Sequence, residues 1–164
     1  MTITERRFDS GADRRQFPRG GRRDGDQAGR FPHLLVADSY DGVRVPCVRY
    51  LTRFGFHVEQ AADGDEALAK IDAAPPHMIL VESGLPKASV SQIVRQLRDR
   101  ADSRSIPIIV MASGLERGTT GDAGHGGWLV KPFALSAMLQ EVRRVFREHP
   151  PVALLESIAE NAGA

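Results

Sequence analysis

Cys47 is the only cysteine in the 164 residues of this chain, so no internal disulfide can brace it. The apolar residues around it, from position 45 to 51, have the spacing of a helix face, and the thiol reads as a small buried hydrophobe rather than a reactive group. Long apolar runs are missing as well. Nothing approaches the ~18 consecutive residues of a membrane span, and the first residues lack the positive start and apolar stretch of a secretion signal. A cytoplasmic protein is the expectation. The five histidines are scattered without metal-ligand spacing, no cysteine cluster joins them, and no serine sits in a nucleophile elbow. These gaps make catalysis the least expected class.

What is present is enough for one domain. An apolar content of 41% supports a single core with appendages, not a second large domain. The net charge of +1 conceals an asymmetry: residues 1–32 carry eight arginines against five acids, whereas residues 33–164 carry fourteen basic residues against sixteen acids. The first 32 residues also contain five glycines and few large apolar groups, so they bury too little surface to offset their ordering entropy. They read as a disordered basic arm. Two functions compete with that reading. Arg14, Arg15, Arg19, Arg22 and Arg23 around Phe17 suit a phosphate-rich nucleic acid. Arg15-Gln16-Phe17-Pro18-Arg19 also resembles the Arg-x-x-x-Arg arm with which PilZ domains hold cyclic di-GMP, but the Asp/Asn-x-Ser-x-x-Gly strand those domains require is not in the sequence. Nucleic acid and cyclic di-GMP therefore rank below protein partners.

From His33 the pattern changes. The centre of the chain is Met78-Ile79-Leu80-Val81-Glu82, an apolar run bounded by prolines that ends in a carboxylate, as a strand buried on both faces of a parallel sheet would. Leu34 to Ala37 ending in Asp38 repeats the pattern. Further strands are expected over 56–61, 106–111 and 128–130, with Ala112-Ser113 forming a crest after the fourth. Amphipathic spacing predicts helices over 41–54, from 63 to the Pro75-Pro76 break, over 89–100 and over 134–147. Between the last two strands, residues 114–127 hold six glycines, at roughly 1 kcal/mol each in a helix interior, so any helix there is short, frayed or absent. The glycines do not make a phosphate loop, because they lead into a strand rather than a helix. Alternating strands and helices imply an α/β fold with a doubly wound five-stranded parallel sheet. Asp38, Glu82 and Lys131 then stand at the carboxyl ends of strands, where such sheets bind ligands.

Leu34-Leu35-Val36-Ala37-Asp38, Asp63-Gly64-Asp65-Glu66-Ala67-Leu68, Met78 to Glu82 with Leu85-Pro86, Pro107-Ile108-Ile109-Val110-Met111 and Leu129-Val130-Lys131-Pro132-Phe133 occur in an order that resembles a response-regulator receiver domain. The resemblance covers residues 34–146 and implies a flavodoxin-like receiver fold working in phosphorelay signal transduction. Residue by residue, it implies that Glu82 stands at the phospho-acceptor position, where the family has aspartate. Asp38 keeps one acid of the Mg²⁺ pair while Ser39 replaces the other. The switch hydroxyl position falls on Ala112, with Ser113 one place late, and Trp128 lies where the switch aromatic often sits. Lys131 is the family's pocket lysine.

An extra methylene at Glu82 displaces the carboxylate by about 1 Å, a misplacement that costs ~100-fold or more in a positioned reaction. Loss of an anionic oxygen at Ser39 leaves at most a weakened Mg²⁺ site on Asp38 and Glu82, and no other cofactor is expected. We therefore expect a stand-alone atypical receiver over 33–148, preceded by the arm at 1–32 and followed by a short tail at 149–164. It would act through contacts with a histidine kinase or an output protein, with Glu82 and Lys131 paired across the crevice and Trp128 fixed in packing. The alternatives are a conventional receiver phosphorylated on Glu82, or a binder of nucleic acid or cyclic di-nucleotide through the arm. The homodimer that receivers form through the fourth helix, fifth strand and fifth helix is left open, because the glycine-rich segment lies on that face.

Overall fold

The computed structural model describes residues 32–114 and 126–151, and expectations for residues 1–31, 115–125 and 152–164 lie outside the described residues. Five strands, β1 (His33–Ala37), β2 (His57–Ala61), β3 (Met78–Glu82), β4 (Ile108–Ser113) and β5 (Gly126–Lys131), form one sheet in the order β2-β1-β3-β4-β5. Every pairing is parallel. The order steps one way from β1 to β2 and the other way from β1 to β5. That reversal opens a crevice beyond the carboxyl ends of β1 and β3.

Side chains of the inner strands alternate between two cores because successive residues of a strand face opposite sides. Leu35, Ile79, Val81, Ile108 and Val110 pack with Ala67 and Ile71 of α2 (Gly64–Ala73) and Val90, Ile93 and Leu97 of α3 (Val90–Asp99). Leu34, Val36, Leu80, Ile109 and Met111 pack on the other side with Cys47 and Leu51 of α1 (Asp41–Arg53) and Met138, Leu139, Val142 and Val145 of α4 (Leu135–Glu148). Burial, with Asp38 adding to it, pushes the Cys47 thiol up to about 11, so it stays protonated in the core. The helix starts follow local chemistry. Asp63 accepts the Glu66 amide at the start of α2, and Ser89 with Gln92 forms a reciprocal capping box on α3. Gly55, at φ 93°, closes α1.

Two strand boundaries differ from expectation. β4 starts at Ile108 rather than 106, because Pro107 has no N–H to enter the ladder; only its carbonyl serves, accepting from Ile79. The strand then runs on through Ala112 and Ser113, which belong to β4 rather than to a crest beyond it. β5 starts at Gly126, two residues early, and its two glycines are there for contact rather than flexibility. A Cβ on Gly126 would come within 1.6 Å of the Ile108 carbonyl oxygen, and one on Gly127 within 2.1 Å of Glu141 Oε1. The histidines also need correction. His33 and His57 are register partners, and His77 donates its amide to His33, so three residues far apart in sequence meet at the amino-terminal edge of the sheet.

Candidate functional site

The crevice is built by the ends of β1, β3 and β5. Asp38 follows β1 and is wholly buried, Glu82 ends β3 with its side chain 18% exposed, and Lys131 ends β5 with its side chain 15% exposed. Lys131 reaches across β4, whose terminal residues, buried Ala112 and exposed Ser113, are too short to block it. Its Nζ lies 2.6 Å from Asp38 Oδ2 and 3.4 Å from Glu82 Oε1. The expected pair between Glu82 and Lys131 is therefore the longer of two contacts. Asp38 is the nearer partner.

Glu82 is held mainly by its neighbour across the crevice. The Ser39 amide and hydroxyl both donate to Glu82 Oε2, at 2.9 and 2.7 Å. Burial alone would push the Glu82 carboxyl up, but the two Ser39 donors and then the Lys131 ammonium outweigh it and hold the group below its ordinary value. The first strand's turn is fixed in the same way. Tyr40 donates its amide to Asp38 Oδ1 at 2.9 Å, and Arg44 donates Nη1 to the Asp38 carbonyl at 2.6 Å while also binding Asp41 and Gln60. Arg44, Tyr40 and Gln60 were not singled out by the sequence. Arg44 looks like any polar-face arginine until the α1 turn brings it under Asp38.

The loop after Glu82 is pinned to the start of α2. Lys87, at φ 70°, binds Asp63 at 2.7 Å, and Pro86 accepts the Gly64 amide at 2.8 Å. Gly64 has to be glycine, since a Cβ there would lie 2.4 Å from the Ala88 Cβ. On the far strand Trp128 is partly buried against the α2 and α3 core, and its indole Nε1 is buried with no partner among the described residues. The arginines of the arm, Arg14, Arg15, Arg19, Arg22 and Arg23, lie outside those residues.

Residues 34–143 match the family described as the response regulator receiver domain. The chain belongs to that family. Receivers are in general non-enzymatic signalling modules that interact with kinases and output domains in two-component systems. Among curated relatives, the response regulator MprA of Mycobacterium tuberculosis is 33% identical over 127 residues, covering 77% of this chain and 55% of the relative. MprA of Mycobacterium leprae is 32% identical over the same length, covering 77% of this chain and 56% of the relative. The chain thus spans about half the length of these regulators. The solved chemotaxis response regulator CheY4 of Vibrio cholerae superposes with a TM-score of 0.65 at 30% identity, covering 70% of this chain and 98% of its own. A putative response regulator from Chloroflexus aurantiacus, at 24% identity, TM-score 0.66 and 72% and 99% coverage, supports the fold alone.

A receiver of this fold implies Mg²⁺ at the crevice, and the donors here do not fit it. Both Asp38 oxygens are taken, by Tyr40 and Lys131, and Glu82 Oε2 already accepts twice from Ser39. An ammonium lies between the two carboxylates, and Ser39 is engaged as a donor, whereas Mg²⁺ needs oxygen ligands in near-octahedral array. Among the described residues no group of three or more His, Cys, Asp or Glu side chains is arranged to hold a metal ion. No helix among them is long and apolar enough to cross a membrane.

Proposed function

We propose that this chain is an atypical receiver whose crevice is held in one state by its own Lys131, and that it signals by protein contact without normal aspartyl phosphorylation. The observation that carries the reading is the position of Lys131 Nζ between Asp38 and Glu82, with Ser39 closing the other side of Glu82. A phosphorylated aspartate would bring added negative charge and acceptor oxygens to the lysine and the neighbouring donors. Glu82, one methylene longer than aspartate, reaches those same kinds of partner with no phosphoryl group attached. Its use as a phospho-acceptor is disfavoured because the oxygen that must attack is displaced by about 1 Å and engaged by other groups. The partners fitting this reading are a histidine kinase or an output protein, in the cytoplasm, with a homodimer as one form of the contact. No catalysis of its own belongs to it.

The test is titration of the full chain with Mg²⁺ and beryllofluoride, a phosphoryl analogue, read by the fluorescence of Trp128, the only tryptophan. Wild type should give no saturable Mg²⁺-dependent change; recovery in Glu82→Asp would locate the defect at the added methylene, and silence in both would leave a receiver scaffold kept for its surfaces. Saturable binding by wild type would overturn the proposal and favour a conventional receiver that uses Glu82. Isothermal calorimetry on the same samples covers binding that leaves the indole unmoved.

A further inference from the structure

At the end of the sheet opposite the crevice, a histidine stands at or just before the start of three neighbouring strands. His57 opens β2, His33 opens β1, and His77 immediately precedes Met78 of β3. The rings are used differently. His33 donates its backbone N–H to His77 Nδ1 at 2.8 Å and accepts the His77 N–H on its own carbonyl, also at 2.8 Å. Through Nε2 it donates to Glu59 Oε2 at 2.9 Å, and its ring lies 4.9 Å from that of His57. The first residue of β1 is thus clasped on both sides.

The bond from His33 requires a lone pair on His77 Nδ1, so His77 is neutral with its proton on Nε2. A second proton turns the acceptor into a donor and sets it against the His33 N–H. Among the described residues, no carboxylate free of another partner lies beside the ring to compensate. Glu59, on the β2 side, is committed to His33, and His33 and His57 themselves carry no negative charge. On the other side His77 lines a cavity of about 450 Å³ with Asp102, Ser105 and His149; Asp102 is already held by Arg100 at 2.9 Å, and the segment that follows α2 lines the cavity with Pro75 and Pro76. We propose that His77 is an acid-sensitive clasp on the first residue of β1, and that a proton on its Nδ1 frees the edge where residues 1–31 join the domain.

Burial, then His33, holds the His77 imidazole below its ordinary value of 6.5, and burial does the same to His33 against the pull of Glu59. The sign follows from linkage. The opened edge binds a proton more readily than the closed one, so the clasp is whole above pH 6.5 and weakens as pH falls below it. For one linked proton the opening constant rises by at most about tenfold per pH unit.

The experiment is amide hydrogen exchange of the full chain between pH 5 and 8, corrected for intrinsic rates, comparing wild type with His77→Asn. The Asn Oδ1 replaces Nδ1 as the acceptor for His33 but cannot be protonated in this range. Wild type should show opening at His33 and Leu34 that grows several-fold below pH 6.5, His77→Asn should lose most of that slope and keep only the share of the His33 imidazole, and His57→Gln, at an exposed ring, should follow wild type. A flat wild type, or a His77→Asn protein as steep as wild type, would overturn the clasp. Imidazole ¹⁵N shifts of wild type decide the matter even if the variant does not fold. They should place the neutral His77 proton on Nε2 at pH 8 and its titration below 6.5, and a proton on Nδ1 or a titration above 6.5 refutes the proposal.

Discussion

Replacing Lys131 with methionine keeps most of the side chain's length and removes only its charge, which isolates what the ammonium contributes. Asp38 is wholly buried and has two partners for its carboxylate, Lys131 on Oδ2 and the Tyr40 amide on Oδ1. Removing the first leaves a buried anion with one hydrogen bond. Breaking a buried pair in this way costs 3–5 kcal/mol, and the 15% exposure left to Lys131 puts the expected loss at the lower end, about 3 kcal/mol. With a urea slope of roughly 1.5 kcal/mol/M for a domain of this size, the unfolding midpoint should fall by about 2 M. Trp128 fluorescence of the full chain at pH 7 is the readout. Adding Asp38→Asn should return at least half of the loss, because the double variant no longer buries an unpaired charge. A midpoint shift below about 0.5 M, with no recovery in the double variant, would mean that the pair behaves like a solvated surface contact and that the crevice is not closed by it.

Ser39→Ala removes the 2.7 Å hydroxyl donor to Glu82 and keeps the amide, so we expect a loss of about 1 kcal/mol and a Glu82 carboxyl that moves up towards its ordinary value in a ¹³C NMR titration. Because wild-type Glu82 is depressed, its contribution is present above the ordinary carboxyl value of 4.5 and fades as pH falls through the folded value, so the two proteins should converge in stability in acid. An unmoved titration would show that Ser39 does not hold the carboxylate. Gly126→Ala places a methyl group 1.6 Å from the Ile108 carbonyl oxygen and must push β5 from β4, at a cost above about 2 kcal/mol in urea unfolding. A loss under about 0.5 kcal/mol would mean that the strand starts later, at Trp128.

The fold was legible because its central strands are buried on both faces and read as unbroken apolar runs. Met78 to Val81 and Leu34 to Ala37 leave no helical alternative within their bounds. The boundaries that slipped are those where residue type and structural role part company. Gly126 and Gly127 look like loop, yet they are strand residues chosen for lack of a Cβ against Ile108 and Glu141. Ile106 looks like strand, yet Pro107 delays the ladder. The histidine cluster could not be read from spacing, since parallel register, not sequence distance, sets His33 beside His57.

At the crevice the sequence identified the members and one pair, Glu82 with Lys131, but not the shorter contact of Lys131 with Asp38. Asp38, Glu82 and Lys131 each end an apolar run, which is a local signal; that Lys131 sits closer to Asp38 than to Glu82 depends on strand order and side-chain reach, which are not local. Ser39 shows the cost of reading departures singly. Taken alone it is a missing acid, and Glu82 is an overlong one. Together they are complementary: the longer carboxylate reaches two Ser39 donors, and the serine adds no third negative charge beside Asp38 and Glu82. Three carboxylates in a partly buried crevice would repel one another beyond what one ammonium can offset, and would call for a divalent cation. Two carboxylates, one held by Ser39 and both in reach of Lys131, leave a residual charge that backbone amides and solvent can carry. On the proposed reading, Ser39 leaves Lys131 as the one cation both carboxylates call on, and Ser39→Asp is the substitution expected to restore a need for metal.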